Sequence, residues 1–305
     1  MPMADAKRRK RGRWALGFAA VALAWLVGVW PPPVWWRDHW PRETAMMRLR
    51  ADHRSAGPTV RPSALRDISP LLQRMVIIGE DSRFRTHRGI DPTEIADALG
   101  ANGHDGWGTT LAGLWRHRDR LRGASTITQQ LAKNLYLSES RNPLRKLKEA
   151  VTALSLELAL SKDRILELYL NVAEWGPGIW GADAASRAYF GVPAASLDER
   201  QAAALAATLP HPQTSNPTFR VDRLLERRNL ILARYHGVDV YIPPEEEESD
   251  SLVVPDVVVP APESVQVEVP LPADSTQIDS VQDSRTIRRT DALGRTADSS
   301  RDTLP

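Results

Sequence analysis

Cysteine is absent from the 305-residue chain, so it can build neither a disulfide framework nor a Cys-ligated metal site. For an exported protein that excludes little, because a core of ~170 residues buries enough surface without covalent staples. No Asp-x-Asp pair occurs, the pattern with which metal-using sugar transferases often hold a divalent cation. Ser-x-x-Lys and Lys-Thr-Gly are missing too, and with them the acylating serine site they mark. From Glu245 onward there is no aromatic residue, and Pro, Ser, Asp and Val dominate. Such a segment offers too little apolar surface to offset the entropy of ordering, so residues 245–305 read as a disordered, acidic, Pro-rich tail. The tail carries 14 Asp/Glu against 5 Arg, a net of −9 that leaves +11 on residues 1–244. The near-neutral total of +2 hides two opposite halves.

What is present begins with a basic head, residues 1–13, in which Lys7 to Arg13 hold six cations. Trp14 to Trp30 comes next without a single charge, and the uncharged stretch runs on to Trp36. A span over 14–36 reaches the ~20 residues a membrane helix needs. Trp14, Trp30, Trp35 and Trp36 would stand at the interfaces. The positive flank is expected to stay in the cytoplasm, which puts everything after about residue 37 outside it. A cleaved signal peptide is the competing reading, but the apolar stretch is long and ends in Trp and Pro rather than small residues. The polybasic head abuts this segment and would meet lipid headgroups before any nucleic acid.

Residues 37–68 read as a polar connector and 69–244 as the folded domain. Ser69-Pro70 signals a helix start, and the subsequent LLQRMVIIGED delivers Glu80 at the helix end. Asp91-Pro-Thr-Glu94 and Ser196-Leu-Asp-Glu199 have the form of capping boxes. Leu147, Val151, Leu154 and Leu158 keep helical spacing, as do Ile165, Leu168 and Val172. No core segment sustains strand alternation, so the fold class is mainly α. Gly100 to Arg118 carries five glycines and reads as a loop. Its Trp107, Trp115, Arg116 and Arg118 fit either a bilayer contact or an ordinary surface loop.

Four blocks carry the chemistry. They are Glu80-Asp-Ser-Arg-Phe-Arg-Thr-His-Arg-Gly-Ile-Asp91, Gly123-Ala-Ser-Thr-Ile-Thr-Gln-Gln-Leu-Ala-Lys-Asn134, Arg145-Lys-Leu-Lys-Glu149, and the run from Lys162 to Gly191. A Glu-Asp pair at a helix end is by itself more often a cap or an ion pair; the context of the first block reverses that reading. In this order the blocks resemble the family 51 glycosyltransferases, the peptidoglycan polymerases, and the fourth is most similar to their monofunctional, membrane-anchored members. Ser82, where Arg is common, and the long 100–118 loop depart from the pattern without removing a proposed catalytic group.

The resemblance implies a lysozyme-like α fold and polymerisation of lipid II with release of undecaprenyl pyrophosphate. With the basic flank inside, it also implies the bacterial cytoplasmic (inner) membrane, with the folded part on the periplasmic side. It makes Glu80 the base that deprotonates the 4-hydroxyl of the incoming GlcNAc, as a carboxylate in hydrogen-bond reach can. It makes Glu149 the second site carboxylate and lines the pyrophosphate site with Lys133, Arg141 and Lys146, fixed positive charge where negative charge grows. Gln130 hydrogen-bonds nearby, and Asp81, Ser125 and Thr126 complete the substrate-binding set. On a helix Arg145 and Lys146 lie four and three residues before Glu149, within pairing distance. His87 reads as a hydrogen-bonding support for Glu80 rather than a ligand, because no second histidine lies at metal-ligand spacing. Asn171, Glu174 and the glycines at 176, 178 and 181 read as a helix end and tight loop. The sequence requires no cofactor and leaves divalent-cation assistance open. Expected partners are lipid II, the glycan strand and membrane lipid, with the tail free to reach other cell-wall proteins.

Two rival classes remain. A lytic enzyme of the same fold would use one acidic glutamate but has no need of a cationic cradle. A non-catalytic scaffold would not need both Glu80 and Glu149. A transpeptidase partner domain has neither its motifs nor room in the chain.

Overall fold

The computed structural model describes residues 2–51, 61–93, 125–137 and 143–243, all within one compact unit, Met1–Gln266. Arg141, the 100–118 loop, the helix expected from Glu94 and the tail lie outside the described residues. The described part is mainly α, as composition and periodicity imply.

Helix α1 (Pro2–Val27) contains the basic head and the apolar segment in one continuous element. It ends at Val27, nine residues short of the expected span, and the proline run at 31–33 starts a short 3-10 turn at Pro33–Arg37 instead. Its uncharged part, 14–27, is about 21 Å long at helical rise, against ~30 Å of bilayer hydrocarbon. Among the described residues no helix is long and apolar enough to cross a membrane. The turn is tied firmly to later helices. Trp36 Nε1 donates to the Tyr136 hydroxyl at 2.6 Å, which donates to the Pro31 carbonyl at 2.8 Å. Arg164 donates to the Trp36 and His39 carbonyls, both at 2.8 Å, and its guanidinium lies 4.2 Å from the Trp40 ring centroid.

After α2 (Ala45–Arg50), α3 (Pro70–Glu80) starts as expected with Ser69 at the cap and Pro70 at the first position. The Ser69 hydroxyl makes no capping bond and turns instead toward the Leu197 carbonyl. Then come α4 (Ile127–Tyr136), α5 (Pro143–Ala159) and α6 (Lys162–Val172). A two-stranded antiparallel hairpin of β1 (Glu174–Gly176) and β2 (Ile179–Trp180) stands where a plain loop is expected. Three residues of strand are too few to show alternation in a sequence. The chain continues through α7 (Ala182–Phe190), α8 (Glu199–Thr208) and α9 (Val221–Tyr235). The capping box of α8 is formed by Asp198 and Gln201, two residues beyond the Ser196–Glu199 register, because Ala194–Ser196 is taken up by a 3-10 turn.

Two packing groups meet at the centre. Alanine-rich α8 lets α3 and α9 approach closely, while α4 lies against α2, α5 and α6. Leu72, Met75, Phe84, Ile127, Leu131, Ile165 and Trp175 are fully buried between them. Gly89 brings the first sequence block onto this core: its φ is 79°, and an added Cβ would sit 3.1 Å from the Ala153 backbone of α5. Gly176 has a tighter requirement, since a Cβ there would lie 2.0 Å from the Tyr189 hydroxyl, which donates to Trp175 O. The stripe of leucines on α5 is helical but faces outward. Leu144, Leu147, Leu154 and Leu158 are exposed, whereas Glu149, Ala153 and Leu156 turn in.

Candidate active site

Glu80 closes α3 with its side chain only 7% exposed, held at two points by residues remote in sequence. Gln130 Nε2, from α4, donates to Glu80 Oε2 at 2.9 Å. Arg227, from α9, approaches Glu80 Oε1 at 3.4 Å and donates to the Gly79 carbonyl at 3.0 Å. The far end of Gln130 is fixed as well, since the Tyr169 hydroxyl, from α6, donates to Gln130 Oε1 at 2.7 Å. Burial holds the Tyr169 phenol well above its ordinary range, and the carboxylates of Glu80 and Asp81 push it further. Arg227 and Tyr169 escape a reading of the sequence by motif. Each has a signal: Leu224, Arg227, Arg228 and Ile231 are a buried stripe of α9 with cations where apolar residues are the norm. Tyr169 likewise sits in the buried face of α6 with Ile165 and Val172.

Asp81 is adjacent in sequence but differently occupied. Its carboxylate meets His87 Nε2 at 2.9 and 3.0 Å and accepts the Ile127 amide at 3.0 Å. Ile127 is the first residue of α4, so a negative charge at this helix start is stabilised by unpaired N–H groups and the helix dipole. His87 therefore supports Asp81, not Glu80 as its position in the first block suggests. Thr126 caps the same helix: its hydroxyl accepts the Gln129 amide at 3.2 Å and donates to the Gly89 carbonyl at 2.6 Å. Both groups orient α4, and with it Gln130, from buried positions.

Asp81, His87 and Asp91 also lie close enough to share a metal ion, their candidate ligand atoms all within 4.8 Å. A search for a second histidine misses this group because its other members are carboxylates. Its oxygens already have partners, however: Arg83 Nε donates to Asp91 Oδ2 at 2.7 Å and the Thr93 amide to Asp91 Oδ1 at 3.0 Å. A guanidinium in contact with one carboxylate works against a dication at the same place.

The second carboxylate, Glu149, is buried on α5 between two cations. Arg145 Nη1 donates to Glu149 Oε2 at 2.8 Å, and Lys146 Nζ bridges Glu149 Oε1 and Ser125 Oγ, the latter at 2.8 Å. Helical spacing therefore pairs both cations with Glu149, as expected, and adds Ser125 from the start of α4. Arg145 is mostly covered, while Lys146 is half exposed. Lys133, in the last turn of α4, is half-buried and makes no side-chain bond among the described residues. The structure thus gathers Glu80, Gln130, Ser125, Thr126, Lys133, Lys146 and Glu149 around α4 and α5. Glu80 is tied to α4 through Gln130, and Lys146 is tied through Ser125 to the residue before the α4 cap.

Comparisons with known proteins point the same way. The family model described as transglycosylase matches residues 53–236. The chain is 43% identical over 226 residues to a biosynthetic peptidoglycan transglycosylase of Thiobacillus denitrificans, covering 72% of this chain and 92% of that one. Identity to the protein of the same description from Azoarcus sp. is 42% over 216 residues, 68% of this chain and 87% of the relative. For that from Bordetella avium it is 37% over 237 residues, 76% and 95% of the two chains.

Proposed function

The chain belongs to the transglycosylase family and is a peptidoglycan glycosyltransferase, and from that premise we propose how its residues divide the work. Glu80 is the base. Gln130 and Arg227 both bind best to an ionised carboxylate, the form a base needs, and each Glu80 oxygen keeps a lone pair for the acceptor. The acceptor is the GlcNAc 4-hydroxyl of lipid II. As its oxygen attacks the anomeric carbon of the growing strand, its proton passes to Glu80. The bond from that carbon to the pyrophosphate oxygen breaks with inversion, and its electron pair leaves on undecaprenyl pyrophosphate.

Positive charge must already stand where this pair arrives, because preorganised charge costs no reorganisation during the reaction. Lys146 and Lys133 supply it on α5 and α4, and Arg141 of the intervening segment joins them in this reading. Glu149 orients Lys146, whose ammonium Ser125 also holds. Asp81 and Thr126 act one step back, by fixing the start of α4.

The same reading puts the chain at the bacterial inner membrane with its catalytic side outward. Trp14, Leu16, Phe18, Val21 and Leu23 of α1 are all strongly exposed, which favours lipid over water around this helix. Lys148 of α5 lies 4.7 Å from the Trp25 ring centroid, so the outward leucines of α5 extend the apolar surface beside α1. Together they suit a lysozyme-like domain resting on the bilayer that holds its substrate.

The observation that carries the catalytic reading is the two-point hold on Glu80. Glu80→Gln keeps the size of the side chain and removes its basicity. In detergent, with lipid II as substrate, polymer sensitive to lysozyme should fall by at least the ~10² to 10⁴ that acid–base catalysis contributes. Near-normal turnover by that variant would remove Glu80 from the chemistry.

A further inference from the structure

We propose that Tyr169 is a positioning residue for the transfer reaction: its buried hydroxyl locks the Gln130 side-chain amide so that the NH2 end, not the oxygen, faces Glu80. The inference rests on the reading of Glu80 as base and adds to it a relay from α6 through α4 to the end of α3.

A primary amide has a donor end and an acceptor end of nearly equal shape, so packing alone cannot choose between its two orientations. Hydrogen bonding can. Tyr169 has one proton to give and is fully buried, with its oxygen 2.7 Å from Gln130 Oε1. Burial and the nearby carboxylates keep that proton on the phenol throughout the neutral range, so the hydroxyl is a permanent donor. Once the amide oxygen is committed to it, Gln130 Nε2 must point at Glu80 Oε2, 2.9 Å away. The reversed amide would set an oxygen against a carboxylate and leave the phenol donor facing NH2.

Each end of this relay is independently anchored. The α4 start that carries Gln130 is fixed by Asp81 at Ile127 N and by the Thr126–Gln129 capping box. Tyr169 sits two residues from Asn171, whose side chain bonds the Ser63 backbone at 2.7 and 2.9 Å. Among the described residues the charged groups facing Glu80 are Arg227 from α9 and Asp81 next in the chain, itself bonded to His87. The buried part of α8, packed on α3, is alanine, leucine and one threonine, so it adds no titrating group there.

The test uses the full-length chain in detergent with lipid II. Tyr169→Phe should lower kcat roughly tenfold to hundredfold, the scale of a misplaced reacting group. KM for lipid II should stay nearly unchanged, because the Tyr169 hydroxyl is fully buried and committed to Gln130. The acid limb of the pH–rate profile should move upward, since weakening a hydrogen bond to a carboxylate favours its protonated form. In a Gln130→Met background, Tyr169→Phe should cost almost nothing more. Unchanged turnover in Tyr169→Phe, or an equal loss in both backgrounds, would overturn the proposal, because Tyr169 would then act on the fold and not through Gln130. Should Tyr169→Phe fail to fold, Gln130→Met alone must show the same kcat loss and acid-limb shift, and normal values there overturn it equally. Glu80→Gln separates the two readings: an active Glu80→Gln enzyme removes the base itself, whereas an inactive one with a normal Tyr169→Phe enzyme removes only the relay.

Discussion

Lys146→Ala is the sharpest perturbation of the cations around Glu149. Lys146 bridges Glu149 and Ser125, yet nearly half its side chain, 48%, is exposed to solvent. An ion pair that open to water is worth at most ~1 kcal/mol to stability. Glu149 also keeps Arg145 at 2.8 Å, so no buried charge is left without a partner. The melting temperature should therefore fall by no more than about 4 °C. Turnover is a different matter: a preorganised group facing a leaving pyrophosphate contributes ~2.7 to 4 kcal/mol, so kcat should drop about 10² to 10³. Arg145→Ala is the control on the same helix. Arg145 is 19% exposed and bonds the other oxygen of a carboxylate that is itself 3% exposed. Its loss weakens a charge-assisted bond in a covered setting and should cost ~1.5 to 3 kcal/mol of stability, with the smaller effect on kcat. The assay pairs thermal melts with initial rates on lipid II. If both variants lose stability alike and neither loses much turnover, the cluster only anchors α5, and the donor phosphates bind elsewhere.

Asp183 gives a pH test remote from the chemistry. Burial alone would raise its pKa, but the Ala194 amide and Arg187 outweigh that and hold it below the usual value. A lowered pKa means that its stabilisation is complete above the unfolded value near ~3.9 and fades as pH falls through the folded one. Asp183→Asn should thus be less stable than the parent at neutral pH in urea titrations, with the gap closing below about pH 4; a pH-independent gap would contradict the assignment. For the membrane reading, Phe18→Asp combined with Leu23→Asp should release the full chain from phospholipid vesicles in flotation, as each charge costs ~2.5 to 3.5 kcal/mol at the centre of a bilayer helix. Undiminished flotation would show that α1 is not the lipid contact.

What can be seen in the sequence is mostly local. The start of α3 comes from Pro70 at its first position, without the Ser69 capping bond, its end at Glu80 from periodicity, and the pairing of Glu149 from i, i+3 and i, i+4 spacing. Periodicity also identifies α5 as a helix, but not which way it faces: the leucine stripe that defines the pattern is the exposed one. The capping box of α8 slips two residues because Asp198 competes with Ser196 for the same role, and only the preceding 3-10 turn decides between them. The hold on Glu80 is out of reach for a different reason. Gln130, Tyr169 and Arg227 come from three helices that adjoin only after packing, with Arg227 147 residues away in the chain. Motif order can supply Gln130. The two others show only as polar residues on buried faces, a signal that marks importance without naming a partner.

The bond from Tyr136 to Trp36 and Pro31 has a mechanical consequence. Tyr136 lies on the same helix as Gln130, six residues on, or about 9 Å along the axis. The N-terminal segment is therefore not a slack tether from which the catalytic domain swings. It is bolted, through a phenol and an indole, to the rod that aims the amide at Glu80. Any tilt imposed on the chain near residue 31 is delivered to α4 as torque instead of being absorbed by a linker. The offset between the end of α1 and the Gln130 turn of α4 is accordingly set by these two bonds, as a dimension of the fold rather than of a linker.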